Sequence, residues 1–274
     1  MPRRARLDAE LVRRGLARSR EHASTLIGDG KVLVNGMVAG KPATGVEAGA
    51  PILVREADDP NWASRGAHKL LGALEVFGPA GLSVTGKRCL DAGASTGGFT
   101  DVLLRAGAAT VFAADVGRGL LDWRLRTDER VVVLDKTNVR NLAPERLGGP
   151  VDLVVGDLSF ISLRLVLPAL LACSAGGADL VPMVKPQFEV GKERLGSGGV
   201  VRDPELRAAA VLEVLAAAAE LGLATRGVVA SPLPGPSGNV EYFIWLRHAP
   251  DESTVDGVQD VEGLVRAAVA EGPQ

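Results

Sequence analysis

The two cysteines have no metal-ligand company and the three histidines are scattered through the 274 residues, so no metal site is expected. Cys89 and Cys173 each stand alone in an apolar run, which predicts reduced core residues of a cytoplasmic protein. Long hydrophobic runs are also scarce. Residues 165–178 contain Pro168 and fall short of the roughly 20 residues that a spanning helix needs. Alanine-rich residues 208–219 carry Glu213 inside and Glu220 just beyond, so no membrane segment is expected. The N-terminal arginines have no apolar stretch behind them, unlike a signal peptide. A surplus of charge is missing as well: the formal net charge is −2, and no global basicity advertises nucleic acid. The distribution is less neutral than the sum, since residues 1–20 hold seven arginines against Asp8 and Glu10.

What is present centres on residues 90–100, Leu-Asp-Ala-Gly-Ala-Ser-Thr-Gly-Gly-Phe-Thr. A buried-strand pattern over 87–92 runs into a glycine loop and then a helix pattern from Phe99, as where a parallel sheet presents a backbone cradle to a ligand. The middle glycine of a dinucleotide fingerprint is replaced by Ser95, and the strand ends in Asp91, whose carboxylate repels phosphate but attracts a sulfonium or ammonium. A cationic nucleoside, S-adenosylmethionine, is therefore favoured over NAD. Asp91, Gly93, Ala94, Ser95, Thr96, Gly97, Gly98 and Phe99 are its candidate contacts. The plainer alternative is a tight strand-to-helix turn whose glycines serve packing.

Leu7, Leu11 and Leu16 predict a first helix, and Ser19 caps a second with Ala23, Leu26 and Ile27 on its apolar face. Val32-Leu33-Val34, the turn Asn35-Gly36 and Met37-Val38 predict a hairpin, which residues 51–54 complete as a small sheet. Residues 1–59 thus form a small α+β domain, 60–64 a linker, and 65–274 a larger domain. In the larger domain, strand patterns at 87–92, 110–116, 131–135, 151–158, 179–185 and 225–230 alternate with helix patterns, one of them at 163–173, which predicts an α/β, Rossmann-like sheet, and residues 261–269 read as a short terminal helix. The strand at 241–247 follows a connection too short for a crossover helix, so it should pair antiparallel. That is the seven-stranded methyltransferase architecture.

Ligands in such sheets lie beyond the carboxyl ends of the strands. Those ends carry Asp115 with Val116, where a carboxylate can bind ribose hydroxyls, Asp135 with Asn138 for the adenine edge, then Asp157 and Lys185.

Residues 17–20 and 26–36 resemble the alpha-L RNA-binding module first described in a small-subunit ribosomal protein. The whole chain from Arg3 to about residue 247 resembles the hemolysin A (TlyA) family of ribosomal RNA 2′-O-methyltransferases, with an FtsJ-type catalytic domain. Ser64-Arg65-Gly66-Ala67-His68-Lys69-Leu70, Asp157-Leu158-Ser159-Phe160-Ile161-Ser162-Leu163, Lys185-Pro186-Gln187-Phe188-Glu189-Val190-Gly191-Lys192 and Pro234-Gly235-Pro236-Ser237-Gly238-Asn239-Val240-Glu241-Tyr242 carry the likeness. It implies a catalytic set of Lys69, Asp157, Lys185 and Glu241, S-adenosylmethionine touching Ser64 and the loop, and cytidine in ribosomal subunits as the methylated nucleoside. The long arginine segment resembles members acting on both subunits. Arg3, Arg4, Arg6, Arg18, Arg20, Lys41 and Arg65 are the implied RNA contacts, while Arg13 and Arg14 read as a solvated face. Core packing is favoured over base stacking for Phe160 and Phe188. The family linker commonly reads Arg-x-Trp-Val, against Pro60-Asn61-Trp62-Ala63 here, which puts a basic linker contact in doubt. The competing readings are a membrane-active hemolysin, which lacks an insertable segment, and a silent ribosome-assembly factor, which leaves the acids and lysines without purpose. Oligomeric state is not legible.

Overall fold

The structure is a computed structural model, and it describes residues 5–47, 49–54, 62–248 and 260–273. Its contacts divide the chain into two units, residues 1–61 and 62–274.

In the first unit, strand β1 (Ala5–Arg6) leads into helix α1 (Leu7–Arg13), and α2 (Arg20–Gly28) follows. Ser19 starts α2 as expected: its hydroxyl accepts from the His22 amide at 3.1 Å, which satisfies one of the donors a helix start leaves open. Strands β2 (Val32–Val34) and β3 (Met37–Val38) form the expected hairpin, with Leu33 opposite Val38 and Val34 opposite Met37. Asn35 and Gly36 both take positive φ, 53° and 81°, the backbone that a two-residue turn between twisted strands requires. β4 (Gly45–Val46) pairs with β1, a contact that two-residue strands leave without periodicity in the sequence. β5 (Ile52–Val54) adds to β2. Leu7, Leu11, Ala23, Ile27 and Val32 make the core beneath them.

The second unit opens with α3 (Gly66–Phe77), then alternates β6 (Arg88–Ala92), α4 (Gly98–Arg105), β7 (Thr110–Ala114), the short α5 (Trp123–Arg126), β8 (Val131–Leu134), β9 (Val151–Gly156), α6 (Leu167–Ala172) and β10 (Ser174–Val184). Then come α7 (Pro186–Glu189), α8 (Pro204–Glu220), β11 (Leu223–Ala230), β12 (Tyr242–His248) and α9 (Val261–Glu271). The seven strands lie in the order β11-β12-β10-β9-β6-β7-β8, with β12 antiparallel to both neighbours. This is the Rossmann-like sheet with one reversed strand that the short connection before residue 241 predicts. Strand alternation splits the core in two. Leu90, Val154, Leu180, Tyr242 and Ile244 face one side, packed with residues of α8 and α9, and Cys89, Val155, Val181, Phe243 and Trp245 face the other, packed with residues of α3 and α4.

Two expectations need correction. The helix expected from 163 to 173 is a 3-10 turn (Leu163–Leu165) followed by the short α6, because Pro168 permits only a first-turn position in a helix. β10 also starts earlier than residue 179, across a register shift between Ser174 and Asp179. The apolar pattern at 261–269 does form a helix, with Val265, Ala268 and Val269 buried. Arg3, Arg4, Pro60 and Asn61 lie outside the described residues.

Candidate active site

β6 delivers the glycine loop at the carboxyl rim of the sheet. Gly93 has φ of 87°, and a Cβ there would come within 3.0 Å of the Asp157 carbonyl oxygen, so the loop can lie this close to the end of β9 only without a side chain. Ser95 takes φ of 49°, and its amide donates to Asp115 Oδ2 at 2.9 Å, while the Gly117 amide donates to Oδ1 at 2.7 Å. Backbone amides thereby fix the Asp115 carboxylate at the end of β7.

A cavity of about 450 Å³ opens beside the loop, lined by Gly93, Ser95, Asp115, Val116, Leu120, Thr137, Asn138, Asp157, Phe160 and Ile161, among others. A second, of about 320 Å³, is lined by Ser64, Arg65, Lys69, Ala94, Thr96, Gly98, Phe99 and Lys185, among others. Both share Gly93, Ser95, Asp157 and Ser159, so the two meet over the loop. The first offers apolar walls, a carboxylate and an amide side chain. The second ends at two lysines.

These lysines belong to a quartet in which they and Glu241 are buried and Asp157 is half-buried. Lys69 Nζ, on α3, stands 2.6 Å from Glu241 Oε2 and 3.3 Å from Asp157 Oδ2. Lys185 Nζ, after β10, stands 2.6 Å from Asp157 Oδ1 and 3.9 Å from Glu241 Oε1, and bonds Ser159 Oγ at 2.8 Å. Lys69, Lys185 and Glu241 are 6%, 7% and 1% exposed. Such charges are tolerable out of water only when paired, and here two cations meet two anions. Burial works to raise the Asp157 pKa, but the charges of Lys185 and then Lys69 outweigh it and hold that carboxyl below its ordinary range. Four residues separated by up to 172 positions thus meet at one point. Ser159, two residues past Asp157, completes the Lys185 contacts, and only its adjacency to Asp157 marks it in the sequence.

Other candidates are placed differently. Asp91 is fully buried beneath the loop, where Thr100 Oγ1 donates to its Oδ2 at 2.7 Å, and it lines neither cavity. Burial pushes its pKa up to about 7, so attraction of a cation by an open carboxylate does not describe it. Asp135 accepts from Arg126 at 3.0 Å and from the Gly119 amide at 3.2 Å and lines neither cavity, although Asn138 does. The core-packing expectation fails for Phe160: this residue is 91% exposed at φ of 62°, with its ring tilted against Phe188 at 5.3 Å between centroids.

In the N-terminal unit, buried carboxylates organise the arginines. Asp8 holds Arg6 at 3.0 Å and Arg20 at 2.9 Å, and Glu10 holds Arg13 and Arg14. The arginines keep the Asp8 carboxyl well below its ordinary range and that of Glu10 down to about 2. Arg6, Arg18, Arg20 and Lys41 are exposed. Arg14 is not the solvated residue expected, since it is one-fifth exposed and donates to the Ala50 carbonyl at 2.7 Å. Among the described residues no helix is long and apolar enough to cross a membrane, and no cluster of His, Cys, Asp and Glu could hold a metal ion.

The family model for FtsJ-like methyltransferases matches residues 62–248, and that for the S4 domain matches residues 5–52. The chain is 61% identical to the 16S/23S rRNA (cytidine-2′-O)-methyltransferase TlyA of Mycobacterium tuberculosis (strain ATCC 25618 / H37Rv), over 100% of both chains. It is 37% identical to the putative rRNA methyltransferase YqxC of Bacillus subtilis (strain 168), over 99% of both. A solved structure described as a putative hemolysin from Streptococcus thermophilus superposes with a TM-score of 0.75 at 36% identity, covering 98% of this chain and 96% of that one.

Proposed function

Because the chain belongs to the TlyA family, with an FtsJ-like methyltransferase domain behind an S4 domain, we propose that it methylates the ribose 2′-hydroxyl of cytidines in ribosomal RNA, in both subunits, with S-adenosylmethionine as donor. The observation that carries this reading is the quartet of paired charges, whose two lysines line the second cavity and whose Asp157 lines both.

The residues present fit the donor. Gly93 leaves room for a nucleoside against the rim, Asp115 is oriented for ribose hydroxyls, and Val116, Leu120 and Ile161 offer apolar walls to a purine beside Asn138. Ser64, Ala94, Thr96, Gly98 and Phe99 line the space toward the lysines. Bound there, S-adenosylmethionine would supply an electrophilic methyl carbon. Lys185 directs an N–H at the acceptor hydroxyl, holding its oxygen in line, while Asp157 and Ser159 fix the ammonium. Lys69 bridges Glu241 and Asp157 and keeps both carboxylates in place. With both carboxylates engaged by ammonium groups, the hydroxyl proton leaves to water as the oxygen is alkylated. Phe160 offers an exposed ring at the rim on which the target base can stack. Arg6, Arg18, Arg20, Lys41 and Arg65 meet phosphates, which position RNA without reading its sequence.

The test is incorporation of labelled methyl from S-adenosylmethionine into purified 30S and 50S subunits by the native chain and by Lys185→Ala. Transfer by the native chain alone supports the assignment. The word hemolysin among the relatives is a name; dye release from liposomes by the purified protein would be needed to revive that reading.

A further inference from the structure

The rim beside β8 has a feature that the quartet and cavities do not use. Of the three tryptophans, Trp62 and Trp245 are buried, whereas Trp123, on α5, is 74% exposed. An indole ring left in water at such cost, outside both cavities, has no packing role in the described residues. Its surroundings are basic. Residues 116–140 carry six arginines and lysines against four acids, in a chain whose net charge is −2. Arg124 and Arg126 follow it on α5, anchored by Asp122 at 3.2 Å and Asp135 at 3.0 Å. Arg118 and Lys136 are exposed and form no ion pair among the described residues, and the Lys136 amide donates to the Gly117 carbonyl at 2.8 Å, which ties the two loops together.

We propose that Trp123, with Arg118, Arg124, Arg126 and Lys136, forms a second RNA-contact platform, on which an unpaired base stacks while the cations meet its phosphates. A flat aromatic face among cations is how single-stranded nucleic acid is held without sequence reading. The platform rests on the reading of RNA as substrate and takes a part of it that the quartet does not touch. The Asp122 amide donates to the Thr96 carbonyl at 3.1 Å, so α5 begins beside the glycine loop that follows β6, two strands from β10 in the sheet order and, at about 4.8 Å per strand, roughly 10 Å along the rim from Lys185. That is on the order of three stacked nucleotides at about 3.4 Å each. The base on Trp123 is therefore a flanking one, separate from the methylated nucleotide.

The experiment uses the full chain and its Trp123→Ala and Trp123→Phe variants with purified ribosomal subunits. Since Trp123 is the exposed tryptophan, its fluorescence in the native chain reports directly: added subunits should quench it and shield it from acrylamide. Trp123→Ala should raise the apparent KM for subunits about tenfold, within the range of one lost base–aromatic stack. Its kcat should stay within about twofold, its affinity for S-adenosylmethionine should not change, and Trp123→Phe should recover most of the loss. Unaltered fluorescence, an unchanged KM in Trp123→Ala, or weakened S-adenosylmethionine binding, which would make the ring a cofactor cover, each overturns the proposal. Should the native chain transfer no methyl to either subunit, the functional reading falls, and the fluorescence titration still decides whether Trp123 meets RNA.

Discussion

At the scale of single residues, the four members of the quartet are not equivalent. Asp157 touches both lysines, Glu241 touches Lys69 closely and Lys185 at 3.9 Å, and only Lys185 also bonds Ser159. Lys185→Ala should lower kcat at least about a hundredfold with S-adenosylmethionine affinity within a few-fold of native, because the group lost acts on the acceptor hydroxyl. Titration calorimetry beside a single-turnover assay separates the two effects. Asp91 predicts a different observable. Its folded pKa of about 7 lies above the ordinary 3.8, so the folded state prefers the protonated acid. Its contribution to stability is full below about pH 4 and is lost as pH rises through 7, on the order of 4 kcal/mol across that window. Asp91→Asn should therefore gain in melting temperature over the native chain as pH rises from 5 to 8, as read by thermal melts. A gap constant with pH would contradict an acid buried without a cation. Strand-end position in the sequence brought Asp115, Asp157 and Lys185 into view, but it could not tell a carboxylate facing a cavity from one sealed under a loop. That difference separates Asp115 from Asp91, and it depends on Thr100 and the packing of α4.

At the scale of elements, short connections do the positioning. The loop before β12 passes so near the quartet that a Cβ on Gly235 would come within 2.6 Å of Glu241 Oε1. Gly235→Ala should push Glu241 off Lys69 and cut methyl transfer at least tenfold, with a smaller effect on melting temperature than on rate. Asn239 steadies the same loop, accepting from the Val201 amide at 2.9 Å and donating to the Gly199 carbonyl at 3.0 Å. Elements with a period or a turn code were legible: the Asn35-Gly36 hairpin, the Ser19 cap, and the reversed β12. The pairing of β1 with β4 and the break between the turn at Leu163–Leu165 and α6 were not, since two-residue strands carry no period and an apolar stretch reads alike as helix or buried strand. Phe160 shows the same limit. Hydrophobic character argued for the core, but its positive φ turns the ring outward, and no local sequence rule gives that for a phenylalanine.

At the scale of the whole molecule, a chain of net charge −2 must gain RNA affinity from where its charges lie. Asp8 and Glu10 consume none of the N-terminal arginines' reach: they hold Arg6, Arg20 and Arg13 in place while those side chains remain more than half exposed. Affinity for subunits should then fall steeply with salt, and Lys41→Ala should lower the slope of log K against log[salt] by about 1 without changing kcat. An unchanged slope would remove Lys41 from the phosphate contacts. The small domain's likeness to an RNA-binding module could be seen from residues 17–36. That buried acids preset its arginines could not, because nothing in the sequence marks Asp8 and Glu10 as buried.

The most direct test of the quartet's role is mass spectrometry of nuclease-digested ribosomal RNA after incubation of unmethylated subunits with S-adenosylmethionine and either the native chain or Lys185→Ala. A 2′-O-methylcytidine product with the native chain, and none with the variant, is the predicted result. Methyl found on a base instead of a ribose, or ribose methylation undiminished in Lys185→Ala, would contradict it.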